Sequence, residues 1–476
     1  MFARVLNDEQ IVRIHEASLA ILQRVGVVVP HPEVLDRFAA HGAQVDRESQ
    51  RVRIPPKVVE SCLAQAGKKF TLYGRDLSKK AEYGVGKRNY NSSGGQALWL
   101  DHVTGERRYP SLADVGTAAR LGDALEHLNI VGAMADPHEL PISYRCVEVM
   151  AELLRNTNKP LMMWFYNRDS AKFLVEMLIA VRGDEKRASE QPLCYPFLEP
   201  ISPLRFPFHG IDMLFETTRV NLPVPVGPMA QLGLSAPATV AGTMAQENAE
   251  VLAGICVVQM VKPGVPVCHG GICHAFDMRT TQMIFSGPEQ AIFGVGMTQM
   301  GKYYGLPVYI NVGLTDSKLA DAQAGLESGI TLSLGAAAGA DVFGHMGICG
   351  DDQGGSLDIL VMQHEIISYV NSVMRDIEVS DDTLAIDEVE AVALGSGGFI
   401  DREHTAQHFR KELWFPRLLD REFYQGWQAK GATSMQDRCR RRVEDILRTH
   451  KPEPLAPELA KELDKIVAAA RRELGG

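Results

Sequence analysis

The chain has 476 residues, of which 45% are hydrophobic and 23% are charged, and its net charge at pH 7 is −10. This length exceeds one average domain, although an α/β barrel with additions can use it as a single body. The acidic balance argues against a nucleic-acid partner, because no basic surplus exists to neutralise phosphates. The first residues lack an apolar signal region and no apolar run is long enough to span a bilayer, so the sequence predicts a cytoplasmic protein without membrane contact.

Residues 1–87 are predicted to form an accessory segment. Apolar residues recur at helical spacing from Ile11 to Leu22, and Pro30 and Pro32 then break the pattern. A strand-like stretch follows at Phe70–Tyr73. The segment contains no recognisable catalytic pattern, so we expect the chemistry to lie further along the chain.

Residues 88–375 repeat one unit, an apolar strand followed by a polar loop and a helical pattern. The repeat interval is about 30 to 45 residues, which is typical of strand–helix units in a parallel sheet. Eight such units predict a closed (β/α)8 TIM barrel, and the alternative, an open doubly wound sheet, lacks a G-x-G-x-x-G after its first strand. The predicted strands are 88–95, 130–134, 161–165, 194–198, 224–229, 265–269, 308–312 and 342–345.

The stretch Asn311–Gly325, NVGLTDSKLADAQAG, shows the unit most clearly. It follows the apolar run Pro307–Ile310 and precedes a helical pattern of small residues. A barrel enzyme places its chemistry in such loops, at the carboxyl ends of the strands. The structural alternative is a capped turn, in which Asp316 or Ser317 caps the following helix and its charges are solvated.

Other strand ends carry aromatic or histidine side chains. A cluster of aromatic faces can hold a quaternary ammonium by cation–π attraction, although strand alternation turns about half of such side chains towards the helices. A histidine at a strand end is also a candidate for a polar role. The aromatic candidates are Trp164, Phe165, Tyr166, Tyr195 and Phe197, and the histidines are His269, His274 and His345.

The eight cysteines are scattered, with no C-x-x-C pair, as is typical of reduced, buried thiols in a cytosolic protein. Only Cys268 and Cys273 lie close together, in the sequence CHGGICH, whose spacing matches no standard zinc set. We therefore expect no metal on this chain, while a zinc site here stays open as an alternative. Residues 376–476 are predicted to be a helical extension packed on the barrel.

Five segments, long and in a fixed order, resemble the trimethylamine methyltransferase (MttB) superfamily in its branch without pyrrolysine. The resemblance covers almost the whole chain. The segments are SSGGQALWLDHVTGERR at 92–108, SAPATVAGTMAQENAEVLAGI at 235–255, HAFDMRT at 274–280, NVGLTDSKLADAQAG at 311–325 and HTAQHFRKELWFPRLLDR at 404–421.

The resemblance implies a (β/α)8 methyltransferase that moves a methyl group from a methylamine to the cobalt of a separate corrinoid (cobalamin-carrying) protein. Trimethylamine-specific members carry pyrrolysine, at a position that we place near Gly313–Thr315. Ordinary residues stand there in this chain. The chain therefore resembles members that demethylate glycine betaine and related quaternary amines, and we expect such a donor, a cognate corrinoid protein and a homo-oligomer.

A quaternary nitrogen already carries the charge that lets a tertiary amine leave, so the protein needs mainly to hold the cation and orient one methyl group. We place Asn311, Asp316 and His345 at the catalytic centre, the first two shaping the cationic pocket. A betaine carboxylate would need hydrogen-bond donors or a positive charge. The candidates for that role, in order of preference, are His345, His269, Gln231 and Arg205. Trp164, Phe165, Tyr195, Phe197 and His274 complete the predicted substrate-binding set.

Two other functions fit the sequence. The first is a zinc-dependent methyltransferase barrel that uses Cys268, His269, Cys273 or His274. The second is a non-catalytic barrel that binds a betaine without turnover. Bound metal would distinguish the first from the corrinoid-dependent enzyme, and binding without methyl transfer would indicate the second.

Overall fold

The structure, a computed structural model, describes residues 3–475. Eight extended segments are each followed by a helix, in the order that the sequence predicts. The barrel strands are Asn89–Ser92, Val131–Gly132, Leu161–Met162, the extended segment 193–198, Val224–Val226, Val267–Gly271, Val308–Ile310 and Val342–Met346. The helices that follow them are Leu112–Ala124, Arg145–Asn156, Arg168–Arg182, Phe208–Thr217, Val240–Val261, Pro288–Tyr303, Ala322–Ala338 and Leu357–Val373.

Backbone hydrogen bonds close these strands into a ring. Strands five, six, seven, eight and one form a continuous parallel sheet in that order, and strands two and three form a parallel pair. Three further contacts join the pair, the fourth strand and the sheet. They are the parallel bridges Asn91–Ile130 and Leu198–Val226, and a 2.9 Å hydrogen bond from the Leu161 amide to the Leu193 carbonyl. The predicted TIM barrel is confirmed.

The fourth strand is the least regular, although the sequence predicts a strand over 194–198. Pro192, Pro196 and Pro200 interrupt it, and a proline cannot donate a hydrogen bond to a neighbouring strand. Leu198 alone forms a bridge there. The segment thus leaves the barrel wall early, which lets Glu199 and Pro200 reach into the space above the barrel.

The amino end of the barrel is closed by a hairpin from the accessory segment. The antiparallel strands Phe70–Tyr73 and Lys80–Tyr83 place Leu72 and Tyr83 in the same buried cluster as Tyr309 of strand seven. Asp341, fully buried, accepts hydrogen bonds from the amides of Gly84 and Val308 and pairs with Lys302. With the amino end filled, the carboxyl end is the end that can admit a ligand.

The remaining elements surround the barrel. The N-terminal part contributes helices Asp8–Arg24, Pro32–Ala40 and Pro56–Gln65 and a small sheet of Val27–Val28, Gln44–Asp46 and Arg51–Arg53. Loops at the carboxyl end contain Leu98–Leu100, Arg107–Arg108, Gln231–Leu232, His274–Asp277, Gln282–Ile284, Ile348–Cys349 and Gly354–Ser356. The C-terminal part contains Asp381–Leu384, Ile386–Leu394, Glu403–Glu412, Tyr424–Ala429, Met435–Thr449 and Pro457–Leu474. A division at residues 87 and 375 stays a prediction.

Within residues 3–475, none of the helices has both the length and the apolar character that a membrane crossing requires.

At Gly132 of strand two, the backbone of the neighbouring strand leaves no room for a side chain. A Cβ at Gly132 would lie 2.0 Å from the Ser93 carbonyl oxygen and 2.3 Å from that of Ser92. Because backbone must move to admit it, we expect Gly132→Ala to lower the free energy of unfolding by about 1–3 kcal/mol. Chemical denaturation measures this change. Gly325→Ala is the control, since nothing lies within 4 Å of its Cβ position in a helix, and an equal loss in both variants would contradict the argument.

Candidate functional site

A cavity of about 550 Å³ opens at the carboxyl end of strands three, four and five. Its walls combine aromatic, apolar and a few polar side chains, which is the usual composition of a small-molecule site. The side chains that the argument uses are Trp164, Phe165, Tyr166, Phe197, Glu199, Met229 and Gln231. Ile201 and Leu234, which also line it, are exposed and lie at its opening.

Contacts behind the cavity hold its aromatic wall in place. The Trp164 indole N–H donates to the Gly95 carbonyl at 3.1 Å, so the ring is fixed at the edge of the first strand. The Tyr166 hydroxyl donates to Asp136 at 2.7 Å. Phe197 packs edge-on against Tyr309, with ring centroids 5.2 Å apart. Rings fixed in this way present preorganised faces to a ligand.

Of the predicted aromatic residues, Trp164, Phe165, Tyr166 and Phe197 line the cavity and Tyr195 does not. Tyr195 is fully buried inside the barrel, with Tyr309 and Val342 in the same cluster. It points inward as Phe197 does, because the two are separated by one residue, but it lies one layer deeper. Tyr195 therefore does not line this cavity, and its predicted contact with the substrate stays a prediction.

Among the described residues that line the cavity, Glu199 is the one carboxylate, and it follows the fourth strand directly. Glu199 is solvent-exposed through the cavity, whose walls surround it. Burial, together with the nearby Asp352 carboxylate, raises the pKa of Glu199 to about 7. Among residues 3–475, no side chain donates a hydrogen bond to it. An ionised Glu199 is therefore a strong attractor for a cation.

Asp352 adds a second acidic group near Glu199. The Gln96 side-chain amide donates to its carboxylate and to its backbone carbonyl, both at 2.7 Å. Burial raises the pKa of Asp352 to about 6, against the opposing effect of the Gln96 hydrogen bond. Sequence reasoning did not name Asp352 or Glu199 as site residues. The position of Glu199 at a strand end was visible, but a solvated loop carboxylate has the same sequence pattern.

His345, predicted to be catalytic, lies between two aromatic rings at the end of strand eight. Its ring centroid is 5.9 Å from that of Trp164 and 5.8 Å from that of Tyr309. Its backbone adopts a left-handed conformation, with φ of 69°, where the strand bulges. Burial lowers the pKa of His345 to about 4, so the ring is neutral at pH 7. It can donate a hydrogen bond, but it offers no positive charge to a carboxylate.

Two of the predicted substrate-binding residues lie away from the cavity. His269 points out of the barrel towards the surrounding helices, where its Nε2 contacts the Asn248 side chain at 3.1 Å. Arg205 is exposed on a turn whose backbone pairs with Ile201 and with Val28 of the N-terminal sheet. The structure does not bring these two residues to the cavity, because the sequence pattern fixes a strand end but not the direction of a side chain, and their predicted roles stay predictions.

His274 and Asn311 are buried beside the site without lining the cavity. The His274 ring stacks on Phe285 with centroids 4.4 Å apart, and burial lowers its pKa to about 3. The Asn311 side-chain oxygen is buried without a hydrogen-bond partner among the described residues, and its backbone carbonyl accepts from Gln290. A direct role for either residue stays a prediction.

Asp316 holds the loop at Phe285 and Ser286 through hydrogen bonds. Its carboxylate accepts hydrogen bonds from the amides of Phe285 at 3.1 Å and Ser286 at 3.3 Å. Burial raises the pKa of Asp316 to about 6. It does not cap the following helix as the structural alternative supposed, since Asp321 accepts from the Ala324 amide there. Its predicted catalytic role stays untested, and its contacts are those of a residue that positions the Phe285 loop.

The CHGGICH segment does not bring its four side chains together. The Cys268 thiol donates to the Pro307 carbonyl inside the barrel, whereas His269 points outward. Cys273 packs in the layer between barrel and helices, and His274 stacks on Phe285. In residues 3–475, the groups of side chains close enough to share a metal ion lie elsewhere, at Glu126–His127–His364 and Asp382–His404–His408. This geometry counts against the zinc alternative.

Comparison with known proteins gives one consistent result. A family model described as trimethylamine methyltransferase (MTTB) matches residues 2–475. The glycine betaine methyltransferase of Desulfitobacterium hafniense (strain Y51) is 30% identical over 473 residues, which cover 99% of this chain and 98% of that protein. The trimethylamine methyltransferase MttB of Desulfitobacterium hafniense (strain DSM 10664 / DCB-2) is 30% identical over 471 residues, covering 98% and 94%. The resemblance drawn from the five segments is confirmed.

Among solved structures, the monomethylamine methyltransferase MtmB of Methanosarcina barkeri aligns with a TM-score of 0.48 and 10% sequence identity. The alignment covers 98% of this chain and 93% of that one.

The raised pKa of Glu199 predicts that the stability of the folded protein depends on pH. A carboxylate whose folded pKa is raised binds protons more tightly when folded, so the protein loses stability as pH rises from about 4.5 to about 7. We expect Glu199→Gln to raise the thermal unfolding temperature at pH 8 and to change it little at pH 4. Calorimetry at both pH values checks this, with Glu106→Gln as a surface control. A variant that is destabilised at pH 8 would contradict the assignment.

Proposed function

The chain belongs to the trimethylamine methyltransferase family, and from that membership we propose that it takes a methyl group from a quaternary amine, glycine betaine or a related betaine, and passes it to a corrinoid carried by a separate protein. The chain is a methyltransferase by its family and its relatives. The observation that supports the choice of donor is the cavity, in which one carboxylate lies among fixed aromatic faces.

The charges around the cavity favour a cation. Glu199 lines it, the nearby Asp352 carboxylate contributes to the raised pKa of Glu199, and none of the described lining residues is a lysine or an arginine. Trp164 and Phe197 add ring faces, which attract a trimethylammonium group without forming hydrogen bonds. A quaternary nitrogen has no N–H to donate, so aromatic faces together with one carboxylate match it better than a polar cavity does.

The region near Gly313–Thr315, where we place the pyrrolysine of trimethylamine-specific relatives, also fits a donor that needs no added reactive group. Gly313 has a left-handed backbone, with φ of 88°, and Leu314 and Thr315 are fully buried. Leu314 packs with Phe285 and Ile348, so its side chain belongs to a small apolar core. The region therefore supports the neighbouring loops structurally, and the donor must carry its own leaving-group activation, as a quaternary amine does.

The partners predicted for the carboxylate of a betaine mostly lie outside the cavity. Of its four predicted partners, Gln231 alone lines the cavity, and its side-chain amide contacts the Met283 sulfur at 3.3 Å. We infer that the cavity recognises the ammonium end, while the carboxylate lies near Gln231 or towards the opening. A quaternary amine that lacks the carboxylate, such as choline, should therefore also bind.

The corrinoid, held by its own protein, supplies a strongly nucleophilic Co(I) that accepts the methyl group. The residues of this chain bind the ammonium, exclude water from it with Trp164 and Phe197, and direct one methyl group towards the opening. During transfer the positive charge on the nitrogen is lost. Attraction to Glu199 is therefore strongest before the reaction, so it should lower KM without raising kcat.

Methyl transfer to cob(I)alamin, followed by its absorbance, tests the proposed donor. We expect turnover with at least one quaternary amine and none with trimethylamine, because the site has no group to activate a neutral amine. Free cob(I)alamin and a corrinoid protein should be tried in parallel. Binding of an amine without transfer to either acceptor would instead support the non-catalytic barrel.

Glu199→Gln tests how the cation is held. With the best donor of the panel, we expect KM to rise about tenfold, the equivalent of losing about 1.4 kcal/mol of charge attraction, with a smaller change in kcat. Asp316→Asn serves as the comparison, because its contacts are with loop amides. A fall in kcat at unchanged KM would contradict the binding role of Glu199.

The pH dependence of kcat/KM gives an independent test of Glu199 as the partner of the cation. Since the pKa of Glu199 is about 7 in the free protein, kcat/KM for a cationic donor should fall as pH drops below about 7. The Glu199→Gln variant should lose this limb of the profile. A wild-type profile that stays flat from pH 8 to pH 5.5 would exclude ionised Glu199 as the cation partner.

A further inference from the structure

The C-terminal arm, residues 376–417, follows the last barrel helix and has little core of its own. Between residues 371 and 417 no residue is buried, although helices Asp381–Leu384, Ile386–Leu394 and Glu403–Glu412 lie there. Short helices are marginal in water on their own. Segments with too little core to fold are often held by a disulfide or by a metal ion. All eight cysteines are buried as free thiols, so a disulfide does not hold the arm.

Two histidines on one helix of the arm have the spacing of metal ligands. His404 and His408 lie one turn apart on helix Glu403–Glu412, and residues four apart share a helix face. Their ring centroids are 4.2 Å apart. The hydroxyl of Thr405 donates to the Phe399 carbonyl and fixes the start of this helix. Two imidazoles at this spacing on a helix can ligate the same zinc ion.

Asp382 brings a third ligand from a different helix. The Nε2 of His408 lies 3.2 Å from the Asp382 carboxylate, and the Nε2 of His404 lies 3.0 Å from the Asp382 backbone carbonyl. One ligand atom from each of the three side chains lies within 4.8 Å of the other two. Ligands at about 2.1 Å from zinc are roughly 3.4 Å from one another, so small side-chain rotations bring all three into range.

The charges around these three side chains favour a cation. A cavity of about 460 Å³ lies beside His404, and none of its described lining residues is a lysine or an arginine. The carboxylates that line it are Asp381, Asp382, Asp387 and Glu388. Arg402 pairs with Glu388 and neutralises one of the four. The remaining negative charge attracts a divalent cation to the histidine pair.

A second group of side chains is also close enough to share an ion, but positive charges surround it. It consists of Glu126, His127 and His364. Arg417 pairs with Glu126 at 2.7 Å. Burial and then neighbouring charges, those of Arg417 and Lys159 included, lower the pKa of His364 to about 3. The His364 Nε2 also accepts a hydrogen bond from the His127 amide at 3.3 Å. These surroundings repel a cation, so the arm offers the better site.

We propose that Asp382, His404 and His408 bind a divalent transition-metal ion, zinc in the first instance, which joins the first and last helices of the arm. Three protein ligands leave the fourth tetrahedral position of zinc to water. The ion would link residues 22 apart in the chain and restrain the segment between them. The site shares no lining residue with the barrel cavity, so its role is structural. It departs from the expectation, drawn from the cysteine pattern, that the chain binds no metal.

Zinc titration of the full chain, freed of metal by a chelator and followed by calorimetry, tests the site. We expect one equivalent of zinc to bind, and at least tenfold weaker binding in His404→Gln, His408→Gln and Asp382→Asn. The control is His41→Gln, at an exposed histidine on another helix end. Far-UV circular dichroism checks that each variant is folded. Unchanged affinity in Asp382→Asn would show a bare histidine pair and would overturn the three-ligand site.

Hydrogen exchange tests whether the ion restrains the arm. Added zinc should slow the exchange of backbone amides between residues 381 and 412 at least tenfold in the wild-type chain and leave them unchanged in His408→Gln. His127→Gln, in the second group, should behave like the wild type. A chain that binds no zinc, or one that loses zinc in His127→Gln and keeps it in His408→Gln, would contradict the proposal. Neither measurement depends on the methyl donor.

Discussion

Closure of eight short strands into one hydrogen-bonded ring determines where the functional side chains lie. Several strands are only two or three residues long, and the fourth contributes one bridge, yet each is held by its neighbours on both sides. Because the Phe70–Tyr83 hairpin fills the amino end, the strand ends at the opposite rim are what a ligand can meet. Changes in the loops above that rim can alter the donor without disturbing the ring.

The site above the ring contains an acidic side chain, Glu199, that does not stabilise the fold. Glu199 lines the cavity with a second carboxylate nearby, none of the described lining residues is a lysine or an arginine, and its raised pKa reflects an unfavourable ionisation there. Structural charges are normally paired, so an unpaired carboxylate that faces a cavity is better explained by a ligand. A bound quaternary ammonium would complete the pair, and its binding would restore part of the stability that the empty site lacks.

Much of this arrangement could be predicted from the sequence. The repeated strand–loop–helix unit predicts the barrel, and position at a strand end predicts the cavity-lining residues Trp164, Phe165, Phe197 and Gln231. Position at a strand end does not predict how deep in the barrel a side chain lies or which way it points. Tyr195 and Phe197 share a face of one strand, but they lie in different layers, and His269 points to the helices while its neighbour Cys268 points inward. Glu199 was missed because the absence of a counter-charge is a property of the folded surroundings.

A crystal structure of the protein with a bound quaternary amine would test the central claim most directly. The account predicts the trimethylammonium group against Trp164 and Phe197, with the Glu199 carboxylate facing the nitrogen and one methyl group directed to the open mouth. An amine bound away from this cavity, or one whose ammonium group points out while its other end meets Glu199, would contradict it.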